Sequence, residues 1–155
     1  MPGNQVAAHN KPFCSYATLE NEHPFSGYYV SLVTPQELNA FATQYDIGIT
    51  LDTNHYAYMG VDIVAAARIS RENVRTIHLS DYLANQTNVF IGEGELDFVS
   101  FFAALDLTRI RATTAECSFF SPFQPNLEMD HDKMIARMIE LRETCEELIH
   151  RVTGA

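Results

Sequence analysis

Basic side chains are scarce in this sequence, with ten Lys and Arg against twenty Asp and Glu and a net charge of −10. Binding a nucleic acid relies on clustered Lys and Arg that neutralise phosphates, and the few present are scattered, so a nucleic-acid partner is disfavoured. Long apolar runs are also missing. No stretch approaches the roughly 20 residues that a membrane-spanning helix needs, and the opening MPGNQVAAHNKPF has neither a basic nor an apolar leader region. No membrane partner is expected, and the default location is cytoplasmic. Cysteine is limited to Cys14, Cys117 and Cys145, an odd set without CxxC spacing. This excludes a disulfide framework and points to reduced packing residues. A glycine-rich phosphate loop of the GxGxxG or GxxxxGKS type does not occur, which removes the usual signature of nucleotide-binding folds.

What is present suits one globular domain. A chain of 155 residues with 46% hydrophobic and 11% aromatic content can bury one substantial core, here expected over about residues 16–152. Along it, strand-like and helix-like segments alternate. Tyr16 to Glu20 (YATLE) reads as a short strand. Thr34-Pro35-Gln36-Glu37 is a capping box with proline at the first helical position, followed by Leu38, Phe41, Ala42 and Tyr45 at helical spacing. Ile47 to Asp52 alternates in β-branched residues and ends in the polar DTNH. Val61 to Arg71 is alanine-rich and helical, Val74 to Leu79 is a strand, and a loop is expected from Ser80 onward. Asp97 can cap a helix through about Leu105 that buries Phe98, Phe101, Phe102 and Leu105. Ile110 to Glu116 is the fourth strand. From about Asp130 to Val152, a stripe of Met134, Met138, Leu141, Cys145, Leu148 and Val152 predicts a long amphipathic helix packed on the sheet. Strands alternating with helices imply right-handed βαβ crossovers and a parallel sheet, the α/β class.

Each predicted strand ends in an acid or a histidine, as at the catalytic rim of a β/α barrel. Parallel strands would bring Glu20, Asp52, His78 and Glu116 to one edge. Three carboxylates and an imidazole form a hard, mostly oxygen donor set suited to Mn²⁺, Mg²⁺, Co²⁺ or Zn²⁺, with positions left for water or substrate. Any one of these residues alone would read as a solvated strand end; four in step do not. His55, three residues after Asp52, can supply a second ligand or a substrate hydrogen bond. Asp81 can orient His78 from behind, or cap the segment that follows it. His23, His131 and His150 lack such spacing and read as surface residues, and His9 belongs to a loose N-terminus.

The series YATLEN, TPQEL, ITLDTNH, TIHLSD, IGEGELDF and TTAECS resembles the second half of the xylose-isomerase-like TIM barrel superfamily, which includes sugar and sugar-phosphate isomerases and epimerases and the AP endonucleases. The resemblance runs from about Tyr16 to Ser118, in the family's order. It implies the last four β/α units of a TIM barrel and one divalent metal held by Glu20, Asp52, His78 and Glu116. It further implies a sugar or sugar phosphate whose carbonyl and adjacent hydroxyl the metal polarises, with Glu20 and Glu116 exchanging protons from opposite sides. His55 matches a histidine that contacts substrate in the epimerases and binds metal in the endonucleases. The endonucleases carry an Asp-x-His pair before the motif matched by IGEG. This sequence has Gln86 and Asn88 there, which are poor zinc ligands and argue against a multi-zinc phosphodiesterase.

A full β/α barrel takes about 250 residues, so the resemblance covers half of one. Half a barrel has two unpaired strand edges and an interior expected to be open and apolar. Both features invite a second copy of the chain or a partner that supplies the other half; the third alternative is a truncated gene product or an excised domain. A metal-dependent isomerase or epimerase, or its catalytic half, is the leading reading. A non-catalytic metal-binding assembly module follows, and an abasic-site endonuclease comes third.

Overall fold

The computed structural model of the chain describes residues 17–22, 32–84, 86–116 and 131–154. His9, Cys14, Tyr16, His23, Cys117 and Ser118, which entered the sequence reading, lie outside them. The elements in order are β1 (Thr18–Glu20), α1 (Pro35–Tyr45), β2 (Gly48–Asp52), α2 (Thr53–Tyr58), α3 (Ile63–Ser70), β3 (Val74–Leu79), β4 (Asp81–Leu83), β5 (Gln86–Val89), α4 (Phe98–Ala104), β6 (Ala112–Ala115) and α5 (His131–Thr153). Strands β1, β2, β3 and β6 form one sheet in that order, and every pair is parallel. The alternating pattern thus gives the parallel half-barrel expected of it. Among the described residues, no helix is long and apolar enough to cross a membrane.

Local chemistry sets the boundaries. At the start of α1 the Thr34 hydroxyl accepts from the Glu37 N–H, and the Glu37 carboxylate accepts from the Thr34 N–H. This reciprocal cap satisfies donors that a helix start leaves orphaned. Asp62 accepts from the N–H groups of Val64 and Ala65, so α3 begins at Ile63 rather than Val61. In β3 one extra residue is accommodated between the Ile49–Val74 and Thr50–Thr76 pairs, a bulge centred on Arg75. Gly48 makes room for it, since a Cβ there would stand 2.7 Å from Arg75 Cγ and 3.0 Å from Thr18 Cγ2.

The two faces of the sheet differ in chemistry. Ile49, Leu51, Val74, Ile77 and Leu79 are fully buried against the helices together with Leu38, Ala66, Phe101 and Phe102. The opposite face, which would line the barrel, presents threonines below acids and histidine. The Thr50 hydroxyl bonds those of Thr18 at 2.7 Å and Thr76 at 3.1 Å, and Thr114 pairs with His78 in the register of β3 and β6. The expectation of an apolar interior is therefore wrong: hydroxyl groups satisfy one another across the strands where aliphatic packing was anticipated.

Three further expectations need correction. The stretch after Ser80 is not a plain loop, because β4 and β5 form an antiparallel hairpin. A short helix, α2, follows Asp52 directly. The long helix α5 forms as expected but packs mainly on α4 rather than over the sheet, and β6 stays exposed along its whole length. Leu141 is buried and Cys145, Leu148 and Val152 pack against the core, whereas Met138 is 55% exposed. Arg137 takes the inward position, its guanidinium 3.8 Å from the centroid of the Phe90 ring and paired with Glu93. A cation over an aromatic face combines stem packing with charge attraction.

The hairpin and the segment after it depend on one buried carboxylate. Asp81 is 1% exposed and accepts from four backbone N–H groups, those of Tyr82 (2.8 Å), Gly92 (2.9 Å), Gly94 (3.0 Å) and Leu96 (3.1 Å). Gly94 lets the backbone come that close, since a Cβ would lie 2.3 Å from Asp81 Oδ1 and 2.5 Å from the Tyr82 carbonyl oxygen. We expect Gly94→Ala to lower stability by about 1–3 kcal/mol, the range for overpacking a tight site. Urea unfolding measures it, and an unchanged midpoint would show that this loop does not rest on Asp81.

Candidate metal centre

The four residues at the strand ends meet. Glu20 closes β1, Asp52 closes β2, His78 lies one residue before the end of β3, and Glu116 follows β6 with its N–H donating to the Leu79 carbonyl at 2.8 Å. One donor atom from each of the four lies within 4.8 Å of the others. His78 Nδ1 stands 3.0 Å from Glu20 Oε1 and 3.0 Å from Glu116 Oε1, so the imidazole bridges the carboxylates of the two edge strands. Asp52 is 2% exposed and uses Oδ1 to accept the His55 N–H at 2.8 Å, capping α2. Its other oxygen is not used by that cap. The donor set fits a divalent ion: three carboxylates supply charge and oxygen, the imidazole supplies nitrogen, and the spacing lets one ion reach all four.

His55 is brought to the same rim. Its Nδ1 lies 2.7 Å from the Asn21 carbonyl, and a carbonyl only accepts, so Nδ1 carries the proton in this arrangement. The ring is 3.8 Å from Glu20 Oε1 and 3.9 Å from Glu22 Oε2. Glu20, Glu22 and His55 thus make a second close group that shares Glu20 with the first. Asp81 is not brought to His78. Its carboxylate is committed to the loop N–H groups described above, so it holds the 92–96 segment instead of orienting the imidazole. Asn88 accepts from the Ser80 hydroxyl at 3.3 Å, and Gln86 is described for its backbone only. His131 and His150 are exposed.

The sequence reading passed over the buried amides and hydroxyls that stand beside the ligands. Asn21 is fully buried and bonds both backbone groups of Asp52. Thr53 bonds both backbone groups of Ser80, and Asn54 donates to the Asp81 carbonyl. A polar residue directly after a strand-end acid was the available signal, because a buried Asn or Thr must find partners. Electrostatically the centre is held in tension. Burial pushes the Glu20 carboxyl above the usual glutamate range, and the attraction and hydrogen bond of His78 offset this only in part.

No protein-family model matches the chain, and no curated protein matches it. Solved structures do. A D-tagatose 3-epimerase-like protein superposes with a TM-score of 0.63 at 19% identity, covering 90% of this chain and 48% of that one. The D-psicose 3-epimerase of Clostridium cellulolyticum H10, solved with D-tagatose, gives 0.66 at 17% identity, covering 84% and 48%. A xylose isomerase domain protein of Alicyclobacillus acidocaldarius subsp. acidocaldarius gives 0.63 at 22% identity, covering 90% and 52%. The chain therefore has the fold of half of a β/α barrel of the kind these structures contain, and it spans about half the length of the structures it matches.

The raised pKa of Glu20 fixes the sign of a test. In the metal-free protein a group with a raised folded pKa favours folding below its unfolded value, and that contribution is lost as pH rises through the folded value. The neutral Glu20→Gln avoids burying the charge. Metal-free Glu20→Gln is expected to have a higher urea midpoint than wild type at pH 7, and the difference should vanish as pH falls through the Glu20 pKa. A variant less stable than wild type at pH 7 would show that the His78 attraction outweighs burial.

Proposed function

We propose that this chain is the metal-binding, catalytic half of a metal-dependent sugar isomerase or epimerase. The observation that carries the reading is the convergence of Glu20, Asp52, His78 and Glu116 from the ends of four adjacent parallel strands, with one donor atom of each within 4.8 Å of the rest. The matched structures add support, since several are named as 3-epimerases of ketoses. On this reading the ion, Mn²⁺, Mg²⁺, Co²⁺ or Zn²⁺, supplies Lewis acidity to a bound carbonyl and its neighbouring hydroxyl.

The chain's own residues then handle the proton. Glu20 and Glu116 approach His78 from the two sides of β3. One removes the proton from the carbon next to the carbonyl and the other returns a proton on the opposite face, which inverts that centre. His55, whose ring lies 3.8 Å from Glu20 Oε1, serves as a substrate contact or a further metal ligand at the same rim. The substrate is a sugar or sugar phosphate, and ketoses such as D-tagatose and D-allulose come first in a screen because neighbouring structures are named for them. Among the described residues the sheet ends at β1 and β6. On this reading the remaining strands, and the rest of the sugar pocket, are supplied by a second copy, a partner, or the other half of a longer protein.

Elemental analysis of the purified chain, with its oligomeric mass recorded, tests this. We expect close to one divalent metal per chain, lost in a His78→Ala/Glu116→Gln double variant, and turnover of a ketose in the assembled barrel. Metal without turnover in that assembly would leave a non-catalytic metal-binding module. No metal after reconstitution would remove the metal centre and the enzyme reading together.

A further inference from the structure

Two buried side chains continue the parallel ladder past the ends of its strands. Asn21 comes directly after Glu20 and is 0% exposed. Its Oδ1 accepts the Asp52 N–H at 2.7 Å and its Nδ2 donates to the Asp52 carbonyl at 3.0 Å. Thr53 comes directly after Asp52 and is likewise 0% exposed. Its hydroxyl donates to the Ser80 carbonyl at 2.7 Å and accepts the Ser80 N–H at 3.2 Å. The same device thus occurs twice. A residue one step beyond a ligand reaches to the next strand and takes both main-chain groups of a single residue there. That residue is Asp52 itself in the first case, and in the second it lies two positions beyond His78.

We propose that Asn21 and Thr53 are positioning residues of the metal centre, setting the separation of Glu20, Asp52 and His78 so that one ion reaches all three. The inference rests on the metal-site reading above. Strand ends fray unless something satisfies their last N–H and carbonyl groups, and these ligands sit at such ends. Asp52 in particular leaves the sheet at once, because α2 begins at Thr53. With the amide of Asn21 on its backbone and the His55 N–H on Oδ1, it is held at three points, and its remaining oxygen has little freedom. The β3–β6 seam lacks a matching clamp among the described residues. Glu116 is tied there by a main-chain bond to Leu79, and its side chain is 44% exposed, so it is the least constrained of the four ligands.

The alternative is that the two clamps serve the fold alone, and Mn²⁺ affinity separates the two cases. Mn²⁺ binding to the purified chain would be measured by calorimetry for wild type, Asn21→Ala, Thr53→Val and Thr53→Ser. Thr34→Ala, which removes the α1 cap far in sequence from the ligands, is the control for lost stability, and urea midpoints are taken on each. We expect Asn21→Ala and Thr53→Val to bind Mn²⁺ about 10- to 100-fold more weakly, the range for residues that orient metal ligands. Thr53→Ser should regain most of the affinity, and Thr34→Ala should bind as wild type despite a lower midpoint. If Asn21→Ala and Thr53→Val fail to fold, Thr53→Cys, which keeps weak hydrogen-bonding capacity, decides by the same criterion. Wild-type affinity in the folded clamp variants overturns this proposal alone. Wild-type chain that takes up no Mn²⁺ after reconstitution overturns the metal-site reading and this proposal with it.

Discussion

Burying the Asp52 carboxylate at the end of an interior strand of the sheet is the constraint around which the rest of the molecule is arranged. A carboxylate at 2% exposure is costly unless hydrogen bonds and opposite charge surround it. The protein meets that need with local means. The N–H of His55 caps one oxygen, which makes the acid the start of α2 and turns the chain sharply away from the sheet. The turn brings Thr53 and Asn54 over the ends of β3 and β4, where they take up backbone groups. It also swings His55 back to Asn21. One buried acid thereby fixes the end of a strand, the start of a helix and the positions of its neighbours at the rim.

A half-barrel with a polar inner face differs from the one that composition suggested. The threonine hydroxyls across β1, β2 and β3 are mutually bonded, so this face does not drive association by hydrophobic burial. The features that an adjoining unit could cover lie elsewhere. β6 is exposed along its length, and among the described residues no strand pairs with the outer edge of β1 or of β6. On α5, Ile135, Met138 and Ile139 are 44%, 55% and 44% exposed. Open edges and apolar helix surface are the two features that adjoining β/α units cover in a closed barrel. Completion would then be directed by strand pairing and helix packing around the outside, leaving the interior polar for chemistry.

The parts of this design that were legible in the sequence are those where one residue type has one dominant use. Thr34-Pro35-Gln36-Glu37 allowed little but a helix start, and the capping box formed as spelled. Acids or histidine at four strand ends announced a shared rim because the parallel topology leaves them nowhere else to converge. The β4–β5 hairpin was hidden because the residues between its strands carry no Asn-Gly or Asp-Gly pair; the Asp81 carboxylate holds the segment that follows it. Asp81 stood open between orienting His78 and capping the segment after it; its carboxylate takes the backbone N–H groups that follow, a choice that spacing along the chain could not make. On α5 the 3.6-residue period located an apolar stripe without setting its centre. Arg137 went inward because an aromatic ring and an acid waited there, and Met138 was turned out. Asn21 and Thr53 stood within the quoted motifs, yet a buried amide gains its meaning only when the backbone groups it satisfies are known.

A metal ion at the candidate centre would explain a feature that otherwise counts against the fold. Three carboxylates share a space in which donor atoms lie within 4.8 Å of one another, and the imidazoles of His78 and, farther off, His55 are the basic groups beside them. Like charges at such spacing repel one another, less strongly where solvent reaches them. The Glu20 carboxyl is held above the usual glutamate range mainly by burial, and the charge of Asp52 adds to that in the metal-free chain. A sequence under no demand but stability would replace one of these acids with an amide or an apolar residue, as stabilising substitutions at functional sites commonly do. Keeping all three, and clamping two of their strands with buried Asn and Thr, makes sense if a divalent cation occupies the centre in the working molecule and turns the repulsion into coordination.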